Sequence, residues 1–284
     1  MLVNKVDIGM REHNRKTHRR LMIRPGAIGD FIVSLPALLH LRAPYTEVWT
    51  GGPNLSLVRF ADARRSIISS GLDRLGLGSD EVLARLSEFD SIVSWYGANR
   101  PDFRSCVADR GLPFEFHQAL PAVGSGVHAV DYYCSQVGAP TNMVPRIETG
   151  AVEQHGSVVI HPFASNLRKR WPGGASFRLP GAKLVKLRGP DEHLADALHI
   201  PDLFELARFL AGARVYIGND SGITHLAAAV GVPTIALFGP TDPSVWAPRG
   251  PAVKIIHRAD MSDISAEEVV EALRLLISET PGVY

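Results

Sequence analysis

The feature that narrows the fold most is a rhythm. From residue 21, short apolar runs at 21–24 (LMIR), 47–50 (EVWT), 66–68 (SII), 91–94 (SIVS) and 114–117 (FEFH) alternate with stretches of helical spacing. The helical patterns run from Asp30 to Leu41, from Asn54 to Ala61, and around 80–88, 101–109 and 127–137. Strands that alternate with helices need crossover connections, and these build a mainly parallel sheet. The segment 138–156, GAPTNMVPRIETGAVEQHG, breaks the rhythm, because it is rich in Gly, Pro, Thr and Asn and has no apolar period; it reads as a linker. Strands then resume at 157–161, 182–187, 214–217, 234–237 and 253–256, with helices from Leu203 to Ala211, Ser221 to Val230 and Ser265 to about Ile277. A length of 284 residues leaves room for two domains of ordinary size. The expected architecture is α/β: a basic extension over 1–20, one doubly wound domain over 21–150 and a second over 151–284. A ligand cleft is expected between the carboxyl ends of the two sheets.

Composition excludes several classes. Lys and Arg number 30 against 29 Asp and Glu, a net charge of +1, so nothing supports a nucleic-acid binder that works by neutralising phosphates. Two cysteines, Cys106 and Cys134, make neither a disulfide framework nor a four-ligand zinc site. No run approaches the ~18 apolar residues of a membrane span, and the polar start MLVNKVDIGMREHNRKTHRR lacks the apolar centre of a secretory signal. A cytoplasmic protein is expected. Residues 1–20 read as a frayed terminus, or as a basic patch touching the cytoplasmic face of an anionic membrane.

Two glycine-bearing turns follow strands and open helices. In RPGAIGD (24–30), Gly26 and Gly29 allow positive φ and close backbone approach, and Asp30 falls at the helix start. The spacing is neither GxGxxG nor GxxxxGK[ST], and no acid ends a clear second strand, which disfavours a dinucleotide-binding dehydrogenase. Asp30 is therefore open to two readings, a helix cap or a general base for a hydroxyl nucleophile. In GNDSGITHLAAAVGVP (218–233) a helix of small residues begins at Ser221-Gly222, offering free N–H groups and the positive end of its dipole to an anion. Gly222 has no side chain to block a diphosphate. His225, four residues after Ser221, faces the same way as the helix start; it is a ligand contact or a packing residue.

A third cluster, HPFASNLRKRWP (161–172), follows a strand and carries Ser165, Arg168, Lys169 and Arg170 beside Trp171. It reads as a clamp for a pyrophosphate leaving group, or as a solvated basic loop anchored by its Trp. Further on, Asp191 and Glu192 end another strand, placed to accept from ribose hydroxyls or to serve as charges at a helix start.

Together these segments resemble glycosyltransferase family 9, the heptosyltransferases. RPGAIGDFIVSLPALLHLR, HPFASNLRKRWP and IGNDSGITHLAAAVGVPTIALFGPTDPSVWAP carry the resemblance, while 51–150 matches only in outline. The resemblance implies a GT-B fold of two Rossmann-like domains, with the acceptor bound by the first and the nucleotide sugar by the second. It further implies an inverting transfer, from ADP-heptose to a saccharide or lipopolysaccharide-core acceptor, with no required metal or other cofactor. Asp30 then matches the catalytic base. On the donor side, Lys169 and Ser165 match groups at the phosphates, Glu192 (with Asp191 as competitor) the acid at the ribose, and Asp220, Ser221, Gly222 and His225 the sugar- and diphosphate-binding turn. Peripheral contact with the inner membrane would suit a lipid-linked acceptor. The segment 173–182 is short for a crossover helix, and Pro-Phe-Ala-Ser stands where the family often has Pro-Gly-Ala-Ser. Two alternatives stand beside this: a nucleotide-dependent oxidoreductase or epimerase on a Rossmann scaffold, and a GT-B protein that binds without catalysis.

Overall fold

The computed structural model describes residues 17–74, 80–122 and 124–280; most of the expected 1–20 extension lies outside them. The N-terminal half runs β1 (Arg19–Arg24), α1 (Ile28–His40), β2 (Tyr45–Thr50), β3 (Ala63–Ser66), α2 (Asp80–Leu86), β4 (Ser91–Ser94), α3 (Pro101–Asp109), β5 (Phe114–Phe116) and α4 (Ala129–Gln136). Its strands form one parallel sheet in the order β3-β2-β1-β4-β5. The C-terminal half runs β6 (Val158–His161), β7 (Leu184–Lys186), α5 (Leu203–Ala211), β8 (Val215–Asn219), α6 (Gly222–Ala229), β9 (Thr234–Phe238), α7 (Pro243–Trp246), β10 (Val253–His257) and α8 (Ala266–Glu279). These strands form a second parallel sheet, β10-β9-β8-β6-β7. Central strands of such sheets are covered on both faces, so they lose the polar alternation of a half-exposed strand. β8 and β9 are buried at every position, and β1 from Leu21 to Arg24.

Strand order reverses beside β1 in the first sheet and between β6 and β8 in the second. Loops leaving the carboxyl ends of strands at such points diverge and open a crevice. The three motif segments are the loops that leave β1, β6 and β8.

Some elements depart from expectation. β1 starts at Arg19, earlier than the apolar run, because Arg20 is tied down: its Nε donates to Ser91 Oγ at 2.9 Å and Nη1 to the Leu41 carbonyl at 2.8 Å. The strand expected at 66–68 lies at Ala63–Ser66 instead, where register with Glu47–Thr50 sets it. An edge strand with one neighbour tolerates charged residues, so its sequence carries little apolar signal. The helix expected from Asn54 is a 3-10 turn over Gly52–Leu57. No crossover helix forms between β6 and β7; buried Trp171 and Phe177 of the connecting loop pack on the C-terminal core in its place.

The halves share an apolar seam. One buried cluster takes in Phe31, Leu35 and Tyr133 from α1 and α4 together with Leu206, Leu210 and Leu226 from α5 and α6. α1 and α6 are thereby brought into direct contact.

Candidate active site

The first loop is built on a buried arginine. Arg24, 1% exposed at the end of β1, donates from Nε to Ser34 Oγ at 3.1 Å, from Nη1 to the Pro25 carbonyl and from Nη2 to the Asp30 carbonyl at 2.8 Å. Its guanidinium lies 4.6 Å from the centre of the Tyr133 ring. Both the turn and the start of α1 are thus fixed from below. Ala27 occupies the N-cap, and Asp30 is the third helical residue, its Oδ2 accepting from the Ala27 N–H at 3.3 Å. The carboxylate therefore does cap the helix, as the simpler reading held. Its other oxygen takes no hydrogen bond from the described residues.

α6 meets this loop directly. A Cβ on Gly222 would lie 2.7 Å from Ile28 Cβ, and one on Gly29 would lie 3.3 Å from His225 Cδ2. On the side where a Cβ of Gly222 would stand, the first loop takes the space, so the glycine lets the two lobes touch. Gly29 likewise serves by lacking a side chain, not by a positive φ, which Gly26 alone of the pair adopts. Ser221 is the N-cap of α6 without a side-chain cap bond, so the first amides of the helix remain available.

Behind the tip, Lys169 Nζ pairs with Asp220 Oδ2 at 2.6 Å. Of the three cations in the loop after β6, only Lys169 reaches this point. Arg170 is spent on the Ala164 carbonyl at 2.7 Å and the Phe163 ring, while Arg168 is exposed. Ser165 is also exposed, on the same loop. Asn219, absent from the sequence-derived site, crosslinks the two segments: Oδ1 accepts from the Trp171 N–H at 3.0 Å and Nδ2 donates to the Phe163 carbonyl at 3.3 Å. The sequence places this Asn in the turn after a strand ending at 217, whereas β8 runs through it, and its partners are 48 and 56 residues away. His225 is buried, and burial depresses its imidazole to about 4; Asp220 opposes this, and His128 and Lys169 add to it. It is a neutral group at pH 7.

Glu192 and Asp191 separate clearly. Glu192 lines a cavity of about 320 Å³ with Arg188, His199 and Ile223 of the C-terminal half and Ile28 and Pro53 of the N-terminal half. Asp191 is exposed and does not line it. Burial opposes ionisation of Glu192, but hydrogen bonds from His161 and from the Gly189 N–H outweigh it and hold the carboxyl below its usual range.

Known proteins share both fold and motif. The sequence model of glycosyltransferase family 9 (heptosyltransferase) matches residues 193–272. Lipopolysaccharide heptosyltransferase 1 of Salmonella typhimurium is 41% identical over 81 residues, 28% of this chain and 25% of that protein. Over these residues the chain is similar to the heptosyltransferases of glycosyltransferase family 9. The chain's match spans a quarter of that curated relative's length. Solved structures extend the likeness, in fold, across both halves of the chain. The ADP-heptose lps heptosyltransferase II of E. coli superposes with a TM-score of 0.69 at 18% identity, covering 92% of this chain and 99% of that one. A family 9 glycosyl transferase from Veillonella parvula gives 0.70 at 19%, covering 93% and 98%. The fold is GT-B.

Proposed function

We propose that this chain is an inverting glycosyltransferase that moves a sugar, heptose from ADP-heptose, to a hydroxyl of a saccharide acceptor of the lipopolysaccharide-core type. One observation carries the reading: Gly29 and Gly222 meet, which sets the Asp30 loop against the tip of α6 and its Lys169–Asp220 pair. The acceptor hydroxyl attacks the anomeric carbon as Asp30 takes its proton. The bond to the nucleoside diphosphate breaks on the opposite face, so the configuration inverts. Lys169, Ser165 and the first amides of α6 take up the charge developing on the diphosphate. Asp220, Ser221 and His225 meet the sugar and the phosphate nearest it, and Glu192 accepts from the ribose. Protein cations and amides meet the leaving charge in this scheme, so it needs no resident metal.

The 21–150 half is the acceptor domain and the 151–284 half the donor domain. Among the described residues no helix is long and apolar enough to cross a membrane. We place the enzyme in the cytoplasm, where a lipid-linked acceptor would hold it at the inner membrane surface.

The test is calorimetric titration with nucleoside diphosphates, followed by transfer from ADP-heptose to a heptose-free lipopolysaccharide core. ADP at ~100 times its dissociation constant should add about 2.7 kcal/mol of stability. Absence of both ADP binding and transfer ends the proposal, and a preference for UDP or GDP replaces the donor but keeps the reaction class.

A further inference from the structure

His161 closes β6, and its Nε2 lies 2.9 Å from Glu192 Oε2. The same oxygen accepts from the Gly189 N–H at 2.5 Å. Gly189 permits this contact, since a Cβ there would stand 3.2 Å from Oε2. Oε2 is therefore saturated by two donors, whereas Oε1 takes no hydrogen bond from the described residues. A carboxylate has about four acceptor positions shared between its oxygens, so those that remain for a ligand lie mainly on Oε1. We infer that His161 is a positioning residue, which locks the Glu192 carboxylate so that Oε1 is presented to the hydroxyl pair of the donor's ribose.

The ring itself supports this. An ionised carboxylate only accepts, so Nε2 must carry the proton of this bond. Nδ1 is then a second polar atom, and it is buried with no partner. Burying a polar nitrogen unpaired is unfavourable, and an apolar residue at this strand end would avoid it. What the imidazole supplies in return is a rigid donor, on the last residue of a central strand, aimed at one oxygen of a carboxylate 31 residues away. His161 also lines the cavity alongside Glu192, so the pair belongs to one wall.

The inference rests on the assignment of Glu192 to the ribose, and its test separates the two. Binding of ADP, 2′-deoxy-ADP and 3′-deoxy-ADP is measured by calorimetry on the full chain and on the Glu192→Ala, His161→Ala and His161→Gln variants. A hydrogen bond to a charged group corresponds to roughly ten- to hundredfold in affinity, so the parent should prefer ADP over at least one deoxy analogue by that factor. Glu192→Ala should abolish the preference and His161→Ala should remove most of it. His161→Gln, whose amide nitrogen can stand near the Nε2 position, should restore part. Loss of melting temperature in His161→Ala with the ADP preference intact would show a packing role only and overturn the inference. A preference that survives Glu192→Ala would overturn it too, by removing Glu192 from the ribose.

Discussion

Gly222 and Gly29 stand back to back across the two lobes, the position of a Gly222 Cβ being only 2.9 Å from the Gly29 backbone nitrogen. No flexible side-chain end occupies that space, so Gly222→Ala must push the lobes apart or bend α1. Overpacking of this kind costs about 1–3 kcal/mol. The urea midpoint should fall accordingly, and transfer should fall further than stability alone explains, because the shift separates Asp30 from the Asp220–Gly222 turn.

Asp30→Ala and Asp30→Asn should reduce transfer by roughly 10²–10⁴-fold, the usual worth of a positioned general base. Asp30→Ala also loses the capping bond to Ala27, at a cost of about 1 kcal/mol, whereas the amide oxygen of Asn can still accept it. Single-turnover rates beside denaturation curves separate the two effects. Transfer at the parent rate would leave Asp30 with its capping role alone.

Lys169→Ala should slow transfer by an amount equivalent to about 2–4 kcal/mol of transition-state stabilisation. It should also leave Asp220 as a nearly buried, uncompensated carboxylate. Lys169→Arg should retain more activity than Lys169→Ala, since it keeps the charge. Measurement of kcat and KM for the donor checks both.

Stability should fall with acid because of His225. Burial holds the folded imidazole neutral down to about 4, against 6.5 for the free group. Between those values the unfolded chain binds a proton that the folded chain refuses, so stability rises with pH across this window. The contribution is full above 6.5 and disappears as pH falls toward 4, with a span on the order of 3 kcal/mol. Urea midpoints from pH 4.5 to 7.5 should show a flatter slope in His225→Gln than in the parent.

The lobes are also joined by Arg249 and Asp131, bonded twice, at 2.7 and 2.6 Å, where α4 faces the loop after α7. Both side chains are about a fifth exposed, so the pair is neither fully screened nor deeply buried. Asp131→Asn should cost about 1–2 kcal/mol. A larger radius of gyration in solution scattering would show that the lobes have loosened.

The sequence alone set the α/β class and the placing of three motifs at strand ends, because apolar periodicity and turn residues act over a few neighbours. It also showed that 173–182 was short for a helix. What it could not decide is which side chains meet. Gly222 looked like an opening for a ligand, and tertiary contact made it the point where α6 abuts the first loop. The resemblance put Glu192 ahead of its neighbour Asp191, but only the fold shows Glu192 held in the cavity wall by His161 and the Gly189 N–H while Asp191 stays exposed. Lys169, Arg168 and Arg170 were three like charges, until Asp220, 51 residues on, selected one. Local pattern follows from the energetics of adjacent residues, whereas each of these choices depends on contacts between segments that only the packing of two sheets brings together.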